Sequence, residues 1–242
     1  MMIFPMLKSW AQTAADLFIP PLCAGCQQRI GEGYLCAKCV KLTRRVRPPF
    51  CECCSHPFDG LIDTEFLCPN CQDRTMHFTC AVAAVHARGL VRNLIHEFKY
   101  NGREYLRRPL GTWLAETLDD PRMTATQIDA LVPVPLHPTR HRSRGYNQSQ
   151  LLAEVLASDF HFTILRSLRR IRKTKTQTSF DRAERMENLH DAFQVGKNAA
   201  VKDKHLVLVD DVLTTGSTLN ECARTLRAAG AASVRAICVA RG

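Results

Sequence analysis

The sequence predicts an α/β protein, with a parallel sheet in its C-terminal two-thirds and a cysteine-rich unit in front of it. Three observations carry this. From Ala81 onward, short apolar runs alternate with amphipathic stretches, the pattern of parallel strands joined by crossover helices. Ahead of them lie ten of the twelve cysteines, between Cys23 and Cys80, eight of them in four Cys-x-x-Cys pairs. Finally, the apolar run 206–209 ends in two acids and a turn of small residues, at the edge where open α/β sheets bind ligands.

A chain of 242 residues has room for one large domain or two modest ones, and the change of texture divides it into 1–78 and 79–242. Apolar residues make up 45%, which excludes a disordered chain and supplies a core. No apolar run approaches the ~18 residues of a membrane span. Lys8 interrupts the N-terminal apolar run and no small-residue cleavage site precedes Pro20 and Pro21, so a signal peptide is not expected and the cytoplasm is.

In chain order, Leu7, Trp10, Ala11, Ala14, Leu17 and Phe18 recur at helical spacing over 6–18, and the two prolines end that helix. Residues 22–78 lack apolar periodicity and read as turns and cysteine knuckles. A strand is expected at 81–87. A helix follows at 89–99, with Val91, Leu94, Ile95 and Phe98 on one face, and another at 106–118 through Leu110, Trp113 and Leu114. Then come a strand at 130–135, a helix at about 147–157, an apolar stretch at 162–168 and a polar, basic segment at 169–190. A strand at 205–211, a helix at 217–229 and a strand at 233–240 close the chain.

Clustered cysteines in a reducing compartment point to metal rather than disulfides. One Cys-x-x-Cys knuckle supplies two thiolates, and two knuckles complete a tetrahedral zinc site. Four knuckles complete two. Sequential pairing groups Cys23, Cys26, Cys36 and Cys39 in one site and Cys51, Cys54, Cys68 and Cys71 in the other; interleaved pairing satisfies the spacing as well, and Cys53 sits where it could compete. With every position filled by protein, both sites are structural. Eight thiolates against two dications lower the formal charge of +10 to about +6. Lys41, Arg44, Arg45 and Arg47 form a basic run between the sites, read equally well as a solvated loop or a nucleic-acid contact. Cys80, Cys222 and Cys238 read as small core residues.

Residues 206–218 run LVLVDDVLTTGST. Asp210 and Asp211 end the strand; Thr214, Thr215, Gly216, Ser217 and Thr218 turn into a helix. Hydroxyls and backbone N–H groups at a helix start form an anion site, and Gly216 permits close backbone approach to a phosphate. A Walker B strand would need a G-x-x-x-x-G-K-[ST] loop elsewhere, and the chain has none. Between 131 and 190 there are eleven Lys/Arg and five Asp/Glu, an excess suited to a phosphate- or pyrophosphate-bearing ligand or to a nucleic-acid backbone. Tyr146 and Phe180 are the nearby aromatics for stacking a base.

The acid pair with T-T-G-S-T resembles the motif by which type I phosphoribosyltransferases bind phosphoribosyl pyrophosphate (PRPP). Added to the four knuckles, to Phe98-Lys99-Tyr100-x-Gly102, to V-P-V-P-L-H (132–137), to R-G-Y-N-Q (144–148) and to the Thr176, Gln177, Arg185, Asn188 segment, it resembles the ComF/GntX family over nearly the whole chain after residue 20. The resemblance implies a type I phosphoribosyltransferase-like sheet behind a double zinc ribbon. It also implies DNA uptake or utilization, with PRPP-like and single-stranded DNA ligands, Mg²⁺ accompanying PRPP, and a DNA-uptake ATPase as partner. By that resemblance Asp210 and Asp211 meet the ribose and residues 214–218 cradle the 5′-phosphate. Lys99, Arg140, Arg144 and Arg185 contact phosphate or pyrophosphate, residues 134–144 form the pyrophosphate-side loop and 172–188 a hood. Two other functions fit the same pocket: a metabolic transferase passing ribose 5-phosphate from PRPP to a base or amine, and a non-enzymatic PRPP sensor. The sequence identifies no base-recognition segment and no separate general base, which favours binding over metabolic transfer and leaves the catalytic residues unassigned.

Overall fold

The computed structural model describes residues 22–58, 60, 64–172, 189–196 and 199–242. The expected helix at 6–18, along with Phe180, Arg185 and nearly all of the 172–188 hood, lies outside them.

Four parallel strands form the central sheet: β1 (Ala81–His86), β2 (Ala130–Pro133), β5 (His205–Leu213) and β6 (Ser233–Arg241), in the order β1-β6-β5-β2. The strands are nearly continuous apolar runs because both faces are covered. Alternation decides which face each residue serves. Leu206, Leu208, Val234, Ala236 and Cys238 enter one buried cluster, while Val207, Val209, Ile237 and Val239 enter the other. The second cluster is closed by α3 (Gly89–Tyr100), α4 (Arg107–Ala115) and α7 (Gln148–Phe160). Val91, Leu94, Ile95 and Phe98 are the buried face of α3, as their spacing predicts.

The first face is covered by α8 (Ser217–Ala228), through Leu219, Cys222 and Leu226, and by the cysteine-rich unit. Cys51, Cys53, Cys54, Cys68 and Cys71 belong to the same buried cluster as the strand residues Ala81, Leu206 and Leu208. Residues 44–46 run antiparallel along the outer edge of β1: the Val46 amide donates to the Ala84 carbonyl (2.9 Å) and the His86 amide to the Arg44 carbonyl (2.9 Å). The Ala81 amide donates to Cys53 (2.7 Å). An exposed edge strand is thereby paired. Arg45, from the basic run, pairs with both carboxylate oxygens of Glu116 (2.6 and 2.8 Å). Arg122, on the short helix α5 (Pro121–Thr124), joins the units again, chelated by Asp120 and donating to the Glu52 carbonyl (2.9 Å) and the Ser55 hydroxyl (3.2 Å).

Two features differ from the sequence expectation. Most of 134–144 is a short helix, α6 (Pro138–Arg144), with Pro at its first turn, His137 Nδ1 accepting from the Thr139 amide (3.3 Å), and Gly145 left-handed (φ 79°) at its end. It buries no residue and so leaves no apolar periodicity to read. The segment at 162–170 supplies β3 (Leu168–Arg170), which pairs antiparallel with β4 (Phe193–Val195). No helix among the described residues is long and apolar enough to cross a membrane.

Candidate functional site

The eight paired cysteines gather as two sets of four. Cys23, Cys26, Cys36 and Cys39 form one, Cys51, Cys54, Cys68 and Cys71 the other, with all ligand atoms of a set within 4.8 Å of one another. Pairing is sequential, and Cys53 belongs to neither set. A zinc tetrahedron with bonds of about 2.3 Å has edges of about 3.8 Å. The Cys26–Cys36 and Cys54–Cys68 sulfur separations of 3.7 and 3.6 Å fit it. The second set is wholly buried, while the first has Cys26 exposed. Short helices α1 (Ala37–Lys41) and α2 (Pro69–Gln72) start at Cys36 and Cys68, which orients Cys39 and Cys71 back toward their partners.

The other chemistry converges on a cavity of about 350 Å³ at the C-terminal edge of β5. Strand β5 delivers Asp210 and Asp211, residues 214–218 form one wall, α3 contributes Lys99 and α6 contributes Arg140 and Arg144. The loop enters α8 through Gly216, at φ 74°, a left-handed conformation that only glycine adopts without strain. As the N-cap, Gly216 carries no side chain to satisfy the first-turn amides.

Lys99 Nζ lies 2.7 Å from Asp211 Oδ1, with the two side chains 21% and 8% exposed. Burial pulls the Lys99 ammonium pKa down, but the Asp211 and Asp210 carboxylates together outweigh it and raise it. Asp210 accepts from the Ser149 hydroxyl (2.9 Å) and the Asp211 amide (2.9 Å). Burial, then the neighbouring Asp211, push its carboxyl up to about 7 against the pull of Lys99. A buried acid and a half-buried one, served by one ammonium, form a site with anionic capacity left over, suited to a further cation or to ligand hydroxyls.

Gln148, the last residue of R-G-Y-N-Q, lines the cavity, and two further polar residues there were not singled out in the sequence: Ser149, directly after that motif, and Arg170, from β3, inside the basic run. Tyr146 does not stack a base: it is buried, and its hydroxyl donates to the Phe98 carbonyl at 2.5 Å. Tyr100 is the aromatic at the rim, 58% exposed, with the Arg144 guanidinium 4.8 Å from its ring centre.

The double zinc ribbon domain family matches residues 14–72, and the phosphoribosyl transferase domain family matches 142–242. A DNA utilization protein YhgH of Escherichia coli is 33% identical over 230 residues, 93% of this chain and 99% of that protein. The chain belongs to the ComF family. ComF relatives at greater distance include competence protein F of Haemophilus influenzae, 31% identical over 88% of this chain and 92% of that one. Competence protein ComFC of Streptococcus pneumoniae is 27% identical over 88% and 90%. Within this ComF chain, the cysteine sets are structural zinc sites and the cavity belongs to a phosphoribosyltransferase-like sheet.

Proposed function

We propose that this protein serves DNA uptake or utilization in the cytoplasm, binding a PRPP-like ligand in the β5 cavity and single-stranded DNA on its surface. One observation carries the ligand: a single cavity gathers the acid pair, the 214–218 loop and the cations Lys99, Arg140, Arg144 and Arg170. In this reading the loop amides and hydroxyls hold a 5′-phosphate. Asp210 and Asp211 hold the ribose hydroxyls or waters around Mg²⁺, and Arg140, Arg144 and Arg185 face the pyrophosphate. Lys99, which neutralises Asp211, yields to the ligand or contacts it. Mg²⁺ would supply charge neutralisation at the pyrophosphate. The DNA role is supported by the names of the relatives, and by a net charge that stays basic, about +6, once two zincs and eight thiolates are counted against the formal +10. Residues 1–78 are then the ribbon unit and 79–242 the ligand-binding unit.

One set of measurements tests both parts. Calorimetry with Mg²⁺ and PRPP on Asp210→Asn/Asp211→Asn is expected to show no binding while two zincs per chain are retained; normal affinity would remove the ligand assignment. Anisotropy of labelled single-stranded DNA is expected to show binding that weakens steeply with salt. Binding no tighter than that of an unrelated basic protein would remove the DNA assignment.

A further inference from the structure

The outer face of the phosphate loop, away from the cavity, rests on the second ribbon. Asn70 lies between the ligands Cys68 and Cys71, and its Nδ2 donates to the Thr215 carbonyl at 3.1 Å. Arg74, three residues past Cys71, donates from Nη2 to that same carbonyl and from Nη1 to the Ser217 hydroxyl at 3.4 Å. Just beyond, the His77 amide donates to Asn220 Oδ1 (2.6 Å) and Asn220 Nδ2 to the Thr75 carbonyl (3.1 Å), clamping the first turn of α8. On the other flank Arg241 donates to the Cys54 carbonyl (3.1 Å) and to the Leu213 carbonyl (2.9 Å), one residue before the loop, with Nη2 3.9 Å from the Cys54 sulfur.

This has a consequence for the ligand side. In a planar trans peptide the C=O and the following N–H point in opposite directions. Two ribbon donors hold the Thr215 carbonyl outward, so the Gly216 N–H is turned the other way, toward the cavity that Gly216 lines. A phosphate-binding donor is thus oriented by residues that touch no ligand. Asn70 lies inside the Cys68–Cys71 knuckle and Arg74 follows it by three residues, so the placement of both donors depends on the metal that folds this unit.

We propose that Asn70 and Arg74 are positioning residues for the phosphate loop, so that ligand affinity in the cavity depends on zinc in the second, buried cysteine site and not on zinc in the first. The proposal rests on the phosphoribosyl reading of the loop, and its test separates the two.

The experiment uses the full chain loaded with zinc, comparing wild type with Arg74→Ala, Arg74→Lys and Asn70→Ala. Zinc content, hydrogen exchange of the 214–219 amides, and calorimetric affinity for ribose 5-phosphate and Mg²⁺–PRPP are measured. Arg74→Ala is expected to keep both zincs, to exchange faster at 214–219, and to bind each ligand about tenfold or more weakly, the loss of a charged hydrogen bond. Arg74→Lys should recover part of this; Asn70→Ala should show the same signature at smaller size and substitutes if Arg74→Ala does not fold. Zinc is also withdrawn stepwise by chelator. The partly exposed first site should empty first without changing affinity, and the second equivalent should take the affinity with it. Wild-type exchange and affinity in Arg74→Ala, or affinity lost with the first zinc, would overturn the proposal. If wild type binds neither ligand, the phosphoribosyl reading fails, while loop exchange still decides the positioning role.

Discussion

Asp210 is the residue whose chemistry and stability pull in opposite directions. Folded, its proton leaves near pH 7; unfolded, near the ordinary value of about 3.9. Between those values the native state holds the extra proton, so stability falls as pH rises through the window, and the full penalty is present above pH 7. Asp210→Asn carries no such penalty. Its stability relative to wild type is expected to improve by about 2–3 kcal/mol between pH 5 and pH 8, two pKa units' worth. Urea titrations of both proteins at the two pH values measure this, and a pH-independent difference would show that Asp210 ionises as an ordinary carboxyl. Such a cost is characteristic of a residue kept for function. At this scale the sequence was legible wherever chemistry is contiguous: the acids and the 214–218 turn lie within nine residues. Ser149, 61 positions from Asp210, and Arg170, on a strand of three residues, reach the cavity through tertiary placement that no local pattern records.

Elements were legible in proportion to their burial. The helices at Gly89–Tyr100 and Ser217–Ala228 each present one buried apolar stripe, and the sheet strands are buried on both faces. α6 buries nothing, and only Pro138 and Gly145 mark its ends; β3 and β4 pair across more than twenty residues, without a turn signal joining them. Packing between elements can also reverse a local preference. In α4, Gly111→Ala should gain about 1 kcal/mol of helix propensity. Yet its Cβ would stand 2.6 Å from Val155 Cγ1 and 3.1 Å from Val155 Cβ, on α7. A β-branched side chain has little freedom to swing aside, and overpacking costs about 1–3 kcal/mol. Gly111→Ala is therefore expected to destabilise, by about 1 kcal/mol, and Val155→Ala in the same chain to relieve the clash. Additive losses in the double variant's urea midpoint would show that the two helices do not meet there.

Across the whole molecule, the ribbon and the sheet share one buried cluster, although the sequence divides cleanly between them. Composition reports where texture changes, and it is silent on which surfaces meet. The outer edge of β1 is paired by residues 44–46, between the two zinc sites, and its first amide by Cys53, inside the second. Removing zinc therefore does more than unfold a small appendage: it leaves β1 as an open edge strand, uncovers the apolar face around Ala81, Ala83 and Leu208, and frees Arg122 from Glu52 and Ser55. Loss of both zincs is expected to raise hydrogen exchange of the His86 and Ala81 amides, which the ribbon pairs. Exchange on the far side of the sheet, in β2 beside β5, should change much less. The zinc-free protein should also aggregate through the exposed edge, at a rate that rises with concentration. Mass spectrometry of exchange before and after chelation decides it. If the His86 and Ala81 amides stay protected once both zincs are gone, the sheet holds its edge unaided and the two units are independent after all.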